Sequence, residues 1–287
     1  MDPDHKIIYS LIDRLLMKKE GREEQPHTLV ESLGLRAREV ISLVGAGGKT
    51  TLMFRLAKEL LLAGKKVVTT TTTKILEPSS EETPCLFVHS DEEKLKQMAS
   101  QHIDHFRHIT LARERLESRK LKGISAELVR LLCNSPKIDM IIIEADGAAG
   151  RPVKAPREWE PVIPSHTTLV IGLVGVDGVG KELDEENLFQ AERISQLTGI
   201  PMGGKMTCEG MAVLMVHPQG IFKGAPYSSR RVAFINKVDV PEGMKWGREI
   251  GKAILKKGSP QIERVVLGQL KSEPPVAEVM FPSNERR

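Results

Sequence analysis

One strand-to-helix turn constrains this chain more than any other feature. The apolar run Val40–Val44 leads into Gly45-Ala46-Gly47-Gly48-Lys49-Thr50-Thr51, and an amphipathic stretch follows. Glycines let the main chain turn its N–H groups toward a ligand without Cβ clashes. A helix opening at such a turn adds unsatisfied first-turn amides and a dipole that favours negative charge. Leu52, Met53, Leu56, Ala57 and Leu60 recur at helical spacing, and Gly64 supplies the stop. Gly45, Ala46, Gly47, Gly48, Lys49, Thr50 and Thr51 are therefore the expected phosphate-binding set. Lys49 is suited to the β- and γ-phosphates, and the Thr50 hydroxyl to Mg²⁺.

The spacing departs from the common form G-x-x-x-x-G-K-[ST], because Leu43 stands where the first glycine would be. Either Leu43 replaces that glycine, or the loop is a shorter G-x-x-G-K-T form, which resembles the ATP loop of Mur-type amide ligases. Beyond it, strands and helices alternate. Val67–Thr72, Met140–Glu144, Leu169–Val174, Val232–Ile235 and Ile262–Val266 read as further strands. Thr50–Ala63, a helix capped by Ser90 with Glu93 and running through Met98, a helix from Ser125, and helices over 187–197 and 242–257 lie between them. Alternation of this kind predicts an α/β, P-loop NTPase-like fold, with a mostly parallel sheet covered by helices on both faces. The expected division is a helical extension over 1–38, the nucleotide-binding α/β domain over 39–270 and an irregular tail over 271–287. The extension comprises an amphipathic helix in the first 25 residues and a short helix Leu29–Leu33.

Two further strand ends carry chemistry. Ile141-Ile142-Ile143 ends in Glu144-Ala145-Asp146-Gly147, which puts two carboxylates at the ligand edge of a parallel sheet. Glu144 and Asp146 are candidates to hold Mg²⁺ or to orient an attacking water, and with Lys49 they form the expected catalytic set. Val232–Ile235 runs into Asn236-Lys237-Val238-Asp239, the N-K-x-D tetrad that reads guanine. Its Asp accepts from the ring N–H and the amino group while its Lys packs over the base, so GTP is expected over ATP. The threonine run Thr69–Thr73 followed by Lys74 ends the second strand. Thr73 is a candidate metal ligand, and Lys74 a candidate phosphate clamp, together with Arg151 and Lys154 in the proline-stiffened segment after the acids.

Other signals are weaker. His102, His105 and His108 fit a surface helix better than a metal site, given no supporting cysteines. Arg113–Lys122 interleaves both charge signs, as solvated faces do, with a phosphate-facing lid as the alternative. Net charge is only +4, too mild to recruit nucleic acid unaided. Cys85, Cys133 and Cys208 form no C-x-x-C pair, and Cys208 beside Glu209 is expected to be an inert thiol. No apolar run is long enough to span a bilayer, and the polar N-terminus does not read as a secretory signal. A cytoplasmic protein with neither nucleic-acid nor membrane partner is expected.

Taken in order, these segments resemble the YqeC-type accessory proteins associated with selenium-dependent molybdenum hydroxylases. The resemblance covers roughly 28–240. It rests on Val44–Thr51, the threonine run with Lys74, Lys122-Gly123 and Glu144–Gly147. Gly150–Pro156 with Glu160–Pro164, Asp177 with Gly180, and Asn236–Asp239 complete it. It implies a role in maturing such hydroxylases, with a molybdenum hydroxylase or selenium-donor protein as partner. Three activities follow as alternatives: an Mg²⁺-dependent nucleoside-triphosphate hydrolase, which is the expected one; a nucleotide-dependent transferase or ligase acting on a small cofactor precursor; and a nucleotide-gated scaffold that does not hydrolyse.

Overall fold

The computed structural model describes residues 28–258 and 262–282. The helix expected in the first 25 residues lies outside them. The first half of the chain gives α1 (Leu29–Ser32), β1 (Glu39–Gly45), α2 (Lys49–Leu62), β2 (Val67–Thr71), β3 (Lys74–Leu76) and β4 (Leu86–Val88). Next come α3 (Glu92–Phe106), β5 (His108–Ala112), β6 (Glu114–Arg115), β7 (Lys120–Lys122), α4 (Ala126–Cys133) and β8 (Met140–Glu144). The second half adds β9 (Leu169–Gly175), α5 (Ala191–Thr198), α6 (Cys208–Val216), β10 (Arg230–Asn236), α7 (Gly243–Lys257), β11 (Ile262–Gly268) and β12 (Val276–Met280).

A nine-stranded sheet runs in the order β12-β11-β10-β9-β1-β8-β2-β5-β4. Every pairing in it is parallel except that of β11 with β12. Because β1, β2, β8 and β9 are buried along their whole length, they need a layer of side chains on both sides. Alternation along β1 supplies it. Ile41 and Leu43 pack with Leu52, Met53 and Leu56 of α2 on one face. On the other, Val40 joins Leu95 of α3 and Leu128 of α4, while Val44 joins Ile194 of α5, Met211 of α6 and Ile250 of α7. From β1 the chain builds outward through β2 and β8 on one side, then crosses to β9 and β10 on the other. The strand order thus reverses at β1 and β9, and the crevice beyond their carboxyl ends is where such sheets bind ligands.

Several local expectations are corrected. The tail is not wholly irregular, since β12 within it pairs with β11. Asp91 rather than Ser90 caps α3, because its carboxylate accepts from the amides of Glu93 and Lys94, and the helix continues to Phe106. Segment 113–122 forms β6 and β7, which pair with β3 as a separate three-stranded antiparallel sheet, and most of its charged side chains are exposed, as on a solvated face. Among the described residues no helix is long and apolar enough to cross a membrane, and no three His, Cys, Asp or Glu side chains converge to hold a metal.

Candidate functional site

β1 remains paired through Gly45, opposite Leu173 of β9, and Leu43 sits inside the strand opposite Glu144. The turn is therefore the short form, Ala46 to Gly48. Three of its amides are used within the protein. Gly45 N–H donates to Asp146 Oδ2 at 3.0 Å, Ala46 N–H to Leu173 O at 2.9 Å and Gly47 N–H to Arg151 O at 3.2 Å. Gly45, Ala46 and Gly47 accordingly shape the turn rather than offer donors. Gly48 caps α2 at φ 133°, a conformation that a side chain would strain. Beyond it the amides of Lys49, Thr50 and Thr51 begin the helix with no earlier carbonyl to satisfy them, which makes them the anion-facing donors.

The strand ends gather the acids against this turn. Parallel pairing of β1 with β8 sets Glu144 beside Leu43, and two residues further along each chain Asp146 meets Gly45. Thr50 Oγ1 donates to Glu144 Oε2 at 2.7 Å. Lys49 folds back: its Nζ donates to Gly45 O at 2.6 Å and lies 3.2 Å from Asp146 Oδ1 and 3.8 Å from Glu144 Oε1. Burial disfavours this ammonium, but the carboxylates of Asp146 and Glu144 outweigh it and hold its pKa above the ordinary lysine value. Burial likewise pushes the Glu144 carboxyl above the usual range, an effect that Lys49 and the Thr50 hydroxyl oppose. Asp146 Oδ1 is buried without a hydrogen-bond partner. Two carboxylates, one of them with an oxygen that accepts no hydrogen bond, and a hydroxyl form an all-oxygen donor set of the kind Mg²⁺ takes beside substrate phosphates, so the residues fit that ion.

The tetrad is tied to the same loop. β10 neighbours β9, and Asn236 Nδ2 donates to Gly47 O at 2.8 Å. Lys237 Nζ donates to Asp177 Oδ2 at 2.7 Å, in the 3₁₀ turn Val176–Gly178 that follows β9. Asp239 is exposed and accepts from Ser272 Oγ at 2.8 Å. Asp177, quoted in the sequence only for its resemblance, thus holds the tetrad lysine.

Not every expected residue joins the cluster. Thr71, rather than Thr73, is tied to the end of β8: its hydroxyl donates to the main-chain carbonyl of Glu144 at 2.7 Å and accepts the Thr73 amide at 3.0 Å. Lys74 stands exposed on β3 opposite Lys122 and makes none of the contacts around Lys49. Arg151 lies beside the loop through its carbonyl, while its guanidinium donates to Glu185 O at 3.3 Å. Lys154 is no surface clamp. Its side chain is fully buried, and its Nζ lies 3.0 Å from Asp146 Oδ2, 2.8 Å from Glu160 Oε2 and 2.6 Å from Gly147 O. Glu160 was passed over as a site residue because an acid among prolines gives no sign that it faces inward.

A family model described as YqeC protein matches residues 41–192. The protein YqeC of Escherichia coli (strain K12) is 34% identical over 253 residues, covering 88% of this chain and 96% of its own. Among solved structures, signal recognition particle 54 kDa protein from Aeropyrum pernix K1, in complex with GDP, superposes with a TM-score of 0.36. Its identity is 17%, over 96% of this chain and 50% of that one, so this chain spans half the length of that relative. Chloroplast FtsY from Physcomitrella patens gives a TM-score of 0.41 and 12% identity over 98% of this chain and 80% of that one.

Proposed function

The chain belongs to the YqeC family, and from that premise we propose that it is an Mg²⁺-dependent nucleoside triphosphatase, selective for GTP, that assists maturation of selenium-dependent molybdenum hydroxylases. One observation carries the nucleotide part. Lys49, Thr50, Glu144 and Asp146 meet within hydrogen-bonding or ion-pairing distance at the mouth of two adjacent parallel strands. The hydroxylase part rests on the resemblance.

Lys49 is held by carboxylates and a carbonyl, so arrival of a triphosphate exchanges one set of anionic partners for another. The ammonium then grips the β- and γ-phosphates while the first-turn amides of α2 take the remaining oxygens. Thr50, Glu144 and Asp146 would hold Mg²⁺, which when bound neutralises charge developing on the transferred phosphoryl group. Whichever of Glu144 and Asp146 does not hold the ion directly is placed to orient the attacking water. Asp239 accepts from the guanine edge once Ser272 releases it, and Lys237 packs over the base. Among the described residues no arginine pairs with Glu144 or Asp146, so turnover is expected to be slow until a partner supplies a cation.

The short turn with Leu43 inside β1 also favours a second assignment, a nucleotide-dependent transferase or ligase of the Mur-like loop type. A thermal-shift panel of ATP, GTP and their diphosphates with Mg²⁺ tests binding, since a ligand at one hundred times its Kd stabilises by about 2.7 kcal/mol. Phosphate release then separates the activities. Release without an acceptor supports the hydrolase, acceptor-dependent release supports the transferase, and the absence of any nucleotide shift sinks both.

A further inference from the structure

The segment from Gly150 to Pro164 leaves the acidic strand end, passes over the phosphate loop and returns to the sheet. Its path is fixed at both ends by backbone bonds. Gly47 N–H donates to Arg151 O and Gly175 N–H to Pro152 O near its start, while Val162 N–H donates to Ala145 O near its end. At its centre sits Lys154, one of the largest fully buried side chains among the described residues.

A buried ammonium is costly unless its donors are paired. Lys154 has three donors and three oxygens to receive them, on Asp146, Glu160 and Gly147. The ring of Phe189 lies 5.5 Å from the same nitrogen. This arrangement divides the two oxygens of Asp146. Oδ2 is saturated by Lys154 and by the Gly45 amide. Oδ1 is left buried, ion-paired with the Lys49 ammonium at 3.2 Å but accepting no well-aligned hydrogen bond. Without the Lys154 ammonium, the Gly45 amide alone would hold Oδ2, and Asp146 would be freer to pair with Lys49 through either oxygen.

We propose that Lys154 is a positioning residue of the nucleotide site: a tethered internal cation that, with Glu160 as its second anchor, fixes Asp146 so that Oδ1 is the oxygen presented to Mg²⁺ and phosphate. The inference rests on the nucleotide assignment above and adds the residue that orients its acid. Lys154 touches neither substrate nor ion. It acts through Asp146, as outer-shell partners of metal ligands do.

The test measures the Kd of a fluorescent guanine nucleotide with and without Mg²⁺ for the wild type, Lys154→Met and the double variant Lys154→Met/Glu160→Gln. The double variant removes both members of the buried pair, so a folded protein remains in hand if the single variant, with its stranded Glu160 charge, does not fold. The expected result is a 10–100-fold weaker Kd in Mg²⁺, in the usual range for outer-shell changes, with little change when Mg²⁺ is chelated. A folded variant whose Kd in Mg²⁺ stays within twofold of the wild type overturns the proposal, as does an equal loss with and without Mg²⁺, the mark of a purely structural role. Wild-type protein that binds no nucleotide removes the underlying assignment and this inference with it. Wild-type binding with unaffected variants removes this inference alone.

Discussion

Asn236 donates its carboxamide N–H to the carbonyl of Gly47 at 2.8 Å and accepts the amide of Leu270 on its other side at 3.1 Å. One side chain therefore ties the tetrad strand to the phosphate turn and to the segment after β11. With 4% of its surface exposed, little solvent can replace either bond. Asn236→Ala leaves a buried carbonyl and a buried amide without partners, a loss of about 2–6 kcal/mol in total. Urea denaturation should show this as a lower midpoint with an unchanged slope. Guanine-nucleotide binding should weaken further than stability alone explains, because the turn loses a support.

Asp239 has one hydrogen-bond partner among the described residues, the Ser272 hydroxyl, and lies at the surface. Asp239→Asn should therefore leave thermal stability within about 0.5 kcal/mol, as is usual for exposed substitutions. A neutral amide can no longer accept both guanine donors, whereas it can donate to the extra carbonyl of xanthine. Competition binding should show preference moving from GTP toward XTP. Unchanged GTP preference would exclude Asp239 from base recognition.

Gly47 combines a positive φ of 83° with contact too close for any side chain: a Cβ there would lie 2.4 Å from the backbone nitrogen of Gly175 and 2.9 Å from Pro152 O. Both neighbours are backbone and cannot rotate away. Gly47→Ala must pay left-handed strain of about 1–2 kcal/mol and also push β9 or the 150–164 segment off the turn. A drop in stability of at least about 2 kcal/mol is expected, with loss of nucleotide binding even in folded protein. Gly150→Ala is the control. It also has positive φ, at 75°, but its Cβ would meet nothing within 4 Å, so only the strain should register.

What was legible in the sequence followed the physical signals that reach across a few residues. β1, β8 and β10 announce themselves as apolar runs ending in glycine, acid or the N-K-x-D tetrad, and all three meet at the site. β5 was missed because His108 and Thr110 interrupt its apolar pattern. Their polarity is absorbed by Thr69, whose hydroxyl lies 3.0 Å from His108 Nε2 and 2.7 Å from Thr110 Oγ1, and no local window shows that partner. α6 was missed for the opposite reason: Met211, Ala212, Leu214 and Met215 are buried around most of its circumference, so no polar stripe marks a helical period. Lys154 reads as solvent-exposed among prolines. Its burial depends on carboxylates from positions 146 and 160, which the fold alone brings together.

The same buried strand sets an acid limit. His108 is 2% exposed, and burial lowers its pKa from 6.5 to about 4. The unfolded chain, with an ordinary histidine, binds a proton more readily than the folded one throughout that interval. Stability from this group is thus complete above pH 6.5 and lost as pH falls from 6.5 toward 4; below that both states are protonated and no more is lost. At about 1.4 kcal/mol per pH unit the whole effect is about 3 kcal/mol. His108→Gln removes the titration while retaining a side-chain amide within reach of Thr69. Burial also raises the pKa values of Glu59 and Glu144, which add their own pH dependence, so the comparison must be between the two proteins rather than within one. Denaturation curves at pH 7, 5.5 and 4.5 should show the stability of wild type relative to His108→Gln declining steadily with acid. Parallel curves would mean that His108 takes up its proton as easily in the folded protein as in the unfolded one.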